Sequence, residues 1–472
     1  MKRSLVVLSC GLLILGLTCT LAAVERMAVD NESSTVSKLP SAVGAKALLN
    51  STHRHGEWHR IQAGSSEVLT WVVYPDRSNK APIVIVNAAD QKLTDWLRAV
   101  ADQVGLEGYI VAVPDIFAGA PQQNQAVRDY IAALPASNGK SATLTFASNR
   151  IKVAAGNRES SFALSERSWP EVVAFLNAAT GNQPAFGAMQ DHMAHMGMPE
   201  PQVPAQRGAG GAPPQRGYPT GKLPDLVAGS FNAKSTWSKS PRRAEWVDIP
   251  VGTTKLHTRI VYPDGNEKAP IVIVMQHGTG LDDWMLALAD QLAYHGFIAV
   301  APDMHSGLGP NGGNYDSFQF MDDAMRANAG FSREKTVAEF KAAREYGLKL
   351  PRANGKSASV GFCMGGGNSF MFAGEVPEHN ASVVFYGGAP DEATMAKIQA
   401  PVIGFYGEDD VRLTSTVEKT AADMKRLGKS YEYHIYPHAT HVFLEFQDLG
   451  GNPAAVADAW PRAVAFIKEH TK

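Results

Sequence analysis

The chain has 472 residues, 44% of them hydrophobic and 19% charged, and 44 Lys and Arg against 46 Asp and Glu leave a net charge of -2. That apolar content is enough for two cores in an ordinary globular protein. The balanced charge, without a basic run, excludes nucleic acid as a partner.

Residues 1–23 open on Met1-Lys-Arg3, continue through an apolar centre and end on Leu21-Ala-Ala23. A basic start, an apolar core and a small-residue end make a secretory signal, with cleavage after Ala22 or Ala23. The mature protein is then expected to be periplasmic or secreted, with no membrane attachment once the signal is gone. Of the three cysteines, Cys10 and Cys19 fall in that segment and only Cys363 remains. An exported chain with one thiol has no intramolecular disulfide.

Residues 24–44 are polar and read as a loose lead-in. From there the chain repeats itself. Val73-Tyr-Pro-Asp76 returns as Val261-Tyr-Pro-Asp264, Lys80-Ala-Pro-Ile-Val-Ile-Val86 as Lys268-Ala-Pro-Ile-Val-Ile-Val274, and Pro114-Asp115 as Pro302-Asp303, all at an offset of 188 residues. Leu134-Pro135 and Asn138-Gly-Lys-Ser-Ala142 return at an offset of 216, as Leu350-Pro351 and Asn354-Gly-Lys-Ser-Ala358; Trp169-Pro170 returns at 291, as Trp460-Pro461. The first copy therefore lacks two stretches that the second carries. We place a degenerate, truncated copy at 45–180, with a structural or lid role, and a complete copy at 235–472. Between them, 181–230 is rich in Gly, Pro and Met and reads as a linker.

The complete copy alternates strands with helices, which implies a mostly parallel sheet with helices on both faces. Strands are expected at Ile271–Val274, Phe297–Ala301, Ser382–Tyr386, Val402–Tyr406 and Tyr431–Tyr436. Helices are expected at Trp284–Leu292, over 333–349, and along the stripe Val456, Trp460, Val464, Ile467. At the centre stands Gly361-Phe-Cys-Met-Gly-Gly366, a Gly-x-Cys-x-Gly turn between a strand and a helix. A nucleophile at the tip of such a turn sits at strained backbone angles, so the flanking side chains must nearly vanish. The following helix points its N-terminus at the sulfur, favouring thiolate and offering the Met364 N–H to a developing oxyanion. The counterpart of Cys363 in the first copy is Ala147, within a stretch that has lost the glycines. The first copy cannot perform this chemistry.

A cysteine nucleophile needs a base and an orienting carboxylate, each on a loop after a strand. Glu408-Asp-Asp410 follows one strand and Pro437-His-Ala-Thr-His441 follows the next. With the elbow, Gly407-Glu-Asp-Asp410 and Tyr436-Pro-His-Ala-Thr-His-Val-Phe443, residues 245–472 resemble the dienelactone hydrolase family of α/β-hydrolases. The resemblance implies an α/β-hydrolase fold, preceded here by a truncated copy, and makes Cys363 the nucleophile, Asp410 the acid and His441 the base. Glu408 or Asp409 as the acid and His438 as the base are the alternatives, and His434 reads as a packing residue on its strand.

Two departures stand out. The family commonly carries a glutamate that tunes the thiol where this chain has His277, which either pairs with the thiolate as a cation or lines the pocket; the next residue, Gly278, would supply the second oxyanion N–H. The arginine that holds a substrate carboxylate shortly after the family's catalytic histidine is replaced here by Leu444 and Glu445, which argues against dienelactone itself. The segment His305–Phe318 is expected to form a substrate-facing loop. The resulting expectation is an exported carboxylesterase or lactonase acting on a small molecule through an acyl-enzyme, without metal or organic cofactor. The alternative is a non-catalytic binding protein, or an exported metal-handling or redox protein using Met189-Gln-Asp-His-Met-Ala-His-Met-Gly-Met198. Stoichiometric copper binding that disappears when 189–198 are deleted would establish the metal-handling alternative, and no copper binding would remove it.

Overall fold

The computed structural model describes residues 37–52, 54–90, 92–116, 119–183, 227–447 and 452–472. Residues 1–23, expected above to be a signal, and most of 181–230 with its Met/His stretch lie outside them. Residues Lys38–Lys472 form one unit built of two lobes, each on its own sheet.

The first lobe runs α1 (Ala45–Ser51), β1 (Gly56–Ala63), β2 (Ser66–Val73), β3 (Ala81–Ala88), α2 (Asp95–Leu106), β4 (Ile110–Pro114), α3 (Pro121–Ala132), β5 (Ser137–Ala147), β6 (Arg150–Ala155), β7 (Arg158–Ala163) and α4 (Trp169–Thr180). The second runs α5 (Ala233–Ser238), β8 (Ala244–Val251), β9 (Thr254–Val261), β10 (Ala269–Met275), α6 (Asp283–Tyr294), β11 (Ile298–Pro302), α7 (Met321–Ala327), α8 (Arg333–Leu348), β12 (Ala353–Phe362), α9 (Met364–Glu375), β13 (Ala381–Phe385), α10 (Glu392–Met395), β14 (Val402–Gly407), α11 (Val411–Arg426), β15 (Tyr431–Tyr436) and α12 (Asn452–His470).

The eight strands of the second lobe lie in the order β8-β9-β11-β10-β12-β13-β14-β15, parallel from β11 through β15 and with β9 antiparallel to both its neighbours. This is the α/β-hydrolase arrangement. Alternation along β10 explains the layers. Val272 and Val274 join the core under Leu288, Leu292 and Trp460, whereas Ile271 and Ile273 face the opposite side, toward Ala343 and Phe340. A strand buried on both faces must be apolar throughout, as this one is.

The first lobe repeats the beginning of that sheet. Its order β1-β2-β4-β3-β5 matches β8-β9-β11-β10-β12, down to a shared register irregularity after Ala81 and after Ala269. Beyond β5 the copies part. The chain turns back after Ala147 into β6 and β7, an antiparallel pair that occupies the sheet edge. Truncation therefore goes further than the sequence alignment suggests: the helix after the elbow is missing as well as the strands beyond it. The lobe limits also extend outward. Leu39 joins the first core, and Val227 and Ala228, assigned above to the linker, are buried in the second, where Ala228 accepts the Trp284 indole N–H at 2.9 Å.

The segment His305–Phe318 follows β11, is exposed at 310–312 and at 316–317, and is anchored at two points. His305 is fully buried and Tyr315 presses on Gly280, where an added Cβ would lie 2.2 Å from the ring. The rest of that insertion ties the lobes together. Asp322, on α7, takes two hydrogen bonds from Arg98 on α2, at 2.5 and 2.6 Å, with both side chains almost wholly buried. Breaking one partner of a buried pair strands the other charge, so Arg98→Ala should cost about 3–5 kcal/mol in urea unfolding. Arg98→Met with Asp322→Leu should recover most of the loss. A single variant as stable as the parent would show that the pair does not hold the lobes.

Candidate active site

Cys363 caps the N-terminus of α9 with φ 53° and ψ -116°, angles that a side chain adopts only under constraint. The constraint is close approach of backbone on both sides. A Cβ on Gly361 would lie 1.8 Å from the Gly365 carbonyl oxygen, and one on Gly365 would lie 2.1 Å from that of Met275. The Cys363 N–H is tied to the Phe385 carbonyl at 3.0 Å. Met364 is the first residue of α9, so its N–H is one of the donors that a helix leaves without an internal partner.

Asp410, at the end of β14, accepts from His441 Nδ1 at 2.5 Å, and both side chains are buried. Glu408 instead accepts the His438 N–H at 3.0 Å, and Asp409 donates its N–H to Ala439. His438 has φ 58°, the left-handed conformation that favours glycine, and its ring faces Glu408. His434 stacks on Phe405 at 5.7 Å. Of the acids and histidines weighed from sequence, then, Asp410 and His441 are the pair brought together beside Cys363.

Two histidines flank the sulfur. Cys363 Sγ and one nitrogen each from His441 and His55 lie within 4.8 Å of one another. His55 comes from the first lobe, just before β1. Its Nδ1 is 3.8 Å from Sγ, and its ring lies 4.2 Å from that of His441. Burial alone would raise the Cys363 thiol, but the His441 and His55 imidazoles outweigh it and hold the thiol well below its ordinary value. Burial would likewise depress His441, yet Asp410 and the sulfur raise it to about 9. Asp410 itself is held low, because His441, Arg412 and His55 overcome its burial.

The first lobe also grips the acid loop. The Arg77 N–H donates to the Asp409 carbonyl at 2.7 Å, and the Val411 N–H donates to the Arg77 carbonyl at 3.1 Å. Val411 is buried in the core of the first lobe, and Arg412 faces Glu57 at 3.7 Å. A cavity of about 300 Å³ beside Cys363 is lined by both lobes, among others by Met364, Met371, Arg333, Arg412 and Glu57.

His277 does not stand free. Its Nε2 meets Asp282 at 2.8 Å and its Nδ1 meets Glu445 at 3.4 Å; despite burial, the two carboxylates raise it well above an ordinary histidine. Both departures from the family pattern thus meet in one ion pair. The Gly278 carbonyl accepts from Asn328 Nδ2 at 2.6 Å, which fixes the loop that carries its N–H.

Sequence reasoning missed His55, Glu57 and Arg412. The available signal was the run His53-Arg-His-Gly-Glu-Trp-His59, three histidines in seven residues at the start of a repeat otherwise stripped of its chemistry.

The profile of the dienelactone hydrolase family matches residues 256–471. A protein of Saccharolobus solfataricus named for carboxymethylenebutenolidase is 27% identical over 248 residues, covering 46% of this chain and 95% of that protein. Protein usf of Aquifex pyrophilus is 31% identical over 210 residues, covering 43% and 88%. Among solved structures, a dienelactone hydrolase-like promiscuous phosphotriesterase from metagenomic libraries is 23% identical, covers 49% of this chain and 100% of its own, and superposes with a TM-score of 0.43.

Two outcomes follow from the geometry. A thiol held low keeps its thiolate until the pH falls through the depressed value, so at about pH 6 Cys363 should react with iodoacetamide roughly tenfold or more faster than a free cysteine of pKa about 8.5. A rate equal to that of free cysteine would contradict the electrostatics described. Gly365→Ala should cost about 3 kcal/mol or prevent folding, because its neighbour is backbone and cannot rotate away. Calorimetry on the purified variant measures it.

Proposed function

This chain belongs to the dienelactone hydrolase family and is an ester-bond hydrolase, and on that premise we propose that it cleaves small carboxylic esters or lactones with Cys363, His441 and Asp410. The observation that carries the assignment is the convergence of a strained elbow cysteine, a buried imidazole and a buried carboxylate, with 2.5 Å between the last two.

In this reading the Cys363 thiolate attacks the substrate carbonyl. The Met364 and Gly278 N–H groups receive the negative charge that develops on the carbonyl oxygen. The His441 imidazolium gives its proton to the departing alkoxide, leaving a thioester on Cys363. Neutral His441 then takes a proton from water, whose oxygen attacks the thioester, and the same imidazolium re-forms as the thiolate leaves. Asp410 holds the ring throughout, with its Nδ1 proton directed at the carboxylate.

Of the charged groups around the pocket, Arg333 is bound by Glu375 and Asp391 and Glu445 engages His277, whereas Arg412 meets Glu57 at 3.7 Å and keeps a buried Nε without a hydrogen-bond partner among the described residues. Export rests on the composition of residues 1–23, and we read the protein as acting outside the cytoplasm.

A panel of p-nitrophenyl esters tests the proposal. Short acyl esters should turn over. Cys363→Ala should abolish turnover, and Asp410→Asn should reduce kcat by about 10⁴, the loss expected when the imidazole is held in the wrong tautomer. Turnover that survives Cys363→Ala would remove the cysteine as nucleophile.

A further inference from the structure

We propose that His55, carried into the catalytic centre by the degenerate lobe, is a second cationic partner of the Cys363 sulfur, with Glu57 facing its far nitrogen. The inference rests on the hydrolase reading above and extends it: the first lobe is a working part of the site.

Geometry carries the argument. His55 Nδ1 faces Sγ at 3.8 Å, and its Nε2 faces Glu57 Oε2 at 3.3 Å. The ring therefore lies between a carboxylate and the sulfur, just as His441 does from the other side. Both His55 and His441 keep a buried Nε2 without a well-formed hydrogen bond, so neither ring is saturated by the protein around it. With acceptors facing both nitrogens, the form of His55 that fits is the imidazolium, provided Cys363 is the thiolate.

The surroundings keep Glu57 ionised. It faces Arg412 at 3.7 Å and accepts from His59 Nε2 at 3.0 Å; burial opposes its charge, but Arg412, His55 and His59 prevail and hold it well below the carboxylate range. His59 is positioned in turn by Tyr130 at 3.0 Å and Tyr74 at 3.3 Å. The groups facing His55 are then Cys363, Glu57, His441 and Tyr74, with Asp410 and Arg412 behind them. Among these groups the sulfur, Glu57 and Asp410 favour a charge on His55, whereas His441 opposes it while it is itself charged.

The repeat supplies an internal control. At the offset of 188, His55 and Glu57 correspond to Arg243 and Glu245 in the second copy. Those side chains are 70% and 40% exposed and pair only with each other and with Tyr262. The same backbone position is thus surface in one copy and catalytic centre in the other. The carboxylate is common to both copies, and the imidazole is what sets the first one apart.

The consequence is a thiolate held by two imidazolium groups. One of them, His441, must surrender its proton during acyl transfer; the other can keep its proton and continue to hold the sulfur's charge as the thioester breaks down.

Iodoacetamide alkylation of Cys363 in the full chain, read from the modified peptide by mass spectrometry across the pH range, tests this without requiring turnover. His55→Gln keeps a hydrogen-bond donor and removes the charge. Its acid limb should move up by about one pH unit, slowing alkylation roughly tenfold on the acid side of the parent's limb and leaving it unchanged above the displaced one. Ester kcat/KM should show the same displaced limb, with KM changed less than kcat. His55→Ala should behave alike and regain part of its rate on addition of imidazole. A His55→Gln profile that superimposes on the parent, or a loss that is equal at every pH, would overturn the proposal; near-UV circular dichroism confirms that the variant is folded. The two readings fail separately. Ester turnover that survives Cys363→Ala defeats the hydrolase assignment and leaves the alkylation result standing, whereas an unmoved alkylation profile defeats the role of His55 in an enzyme that still needs Cys363.

Discussion

A sulfur can stand clear of a parallel sheet only where the strand breaks sharply into a helix, and everything else in this molecule is arranged around that break. At φ 53° and ψ -116°, Cys363 occupies a conformation that the surrounding backbone must enforce. The enforcement is steric. The chain passes so close to itself at Gly361 and Gly365 that a single methyl group would overlap a carbonyl oxygen. The same closeness sets the start of α9 directly behind the sulfur. The strain and the electrostatic benefit are therefore one feature, bought by omitting two side chains.

Around that point Asp410, His441, the sulfur, His55 and Glu57 form a line of polar groups, buried at the Asp410 end and one-third exposed at Glu57. Burial alone would raise the thiol and the Asp410 carboxyl and lower His441. Their proximity to one another reverses each of those shifts. Arg412 closes it at one end by facing Glu57, and Arg412 is only two residues from Asp410. The His277 cluster repeats the logic nearby, with two carboxylates around one imidazole.

This arrangement explains why a copy of the fold that has lost its own elbow remains joined to the other. Arg77 brackets the acid loop with two backbone hydrogen bonds, Val411 sinks into the first lobe, and Arg98 holds the insertion helix through Asp322. The acid loop of a lone second lobe would lose a bridging strand contact and a buried anchor. Decay of the first copy's own chemistry left its outer strands intact, because those strands make the contact.

The local pattern of residues did not reveal the antiparallel strands β8 and β9, but it was enough to reveal the duplication, the parallel strands of the second sheet, the elbow and the loops bearing Asp410 and His441. Each of these is written in near neighbours: apolar runs, glycines at fixed spacing, and polar residues just after a strand. His438 stood as the alternative to His441, and the structure separates them: His438 has a left-handed backbone and faces Glu408, whereas His441 meets Asp410. What sequence could not decide is whatever depends on one copy meeting the other. His55 and Glu57 lie about 300 residues from Cys363, and nothing local distinguishes an imidazole aimed at solvent from one aimed at a sulfur. The partners of His277 and the burial of His305 are of the same kind. Side-chain spacing determines what a segment can become; only the packing of two lobes decides which of its charged groups lose their water and meet.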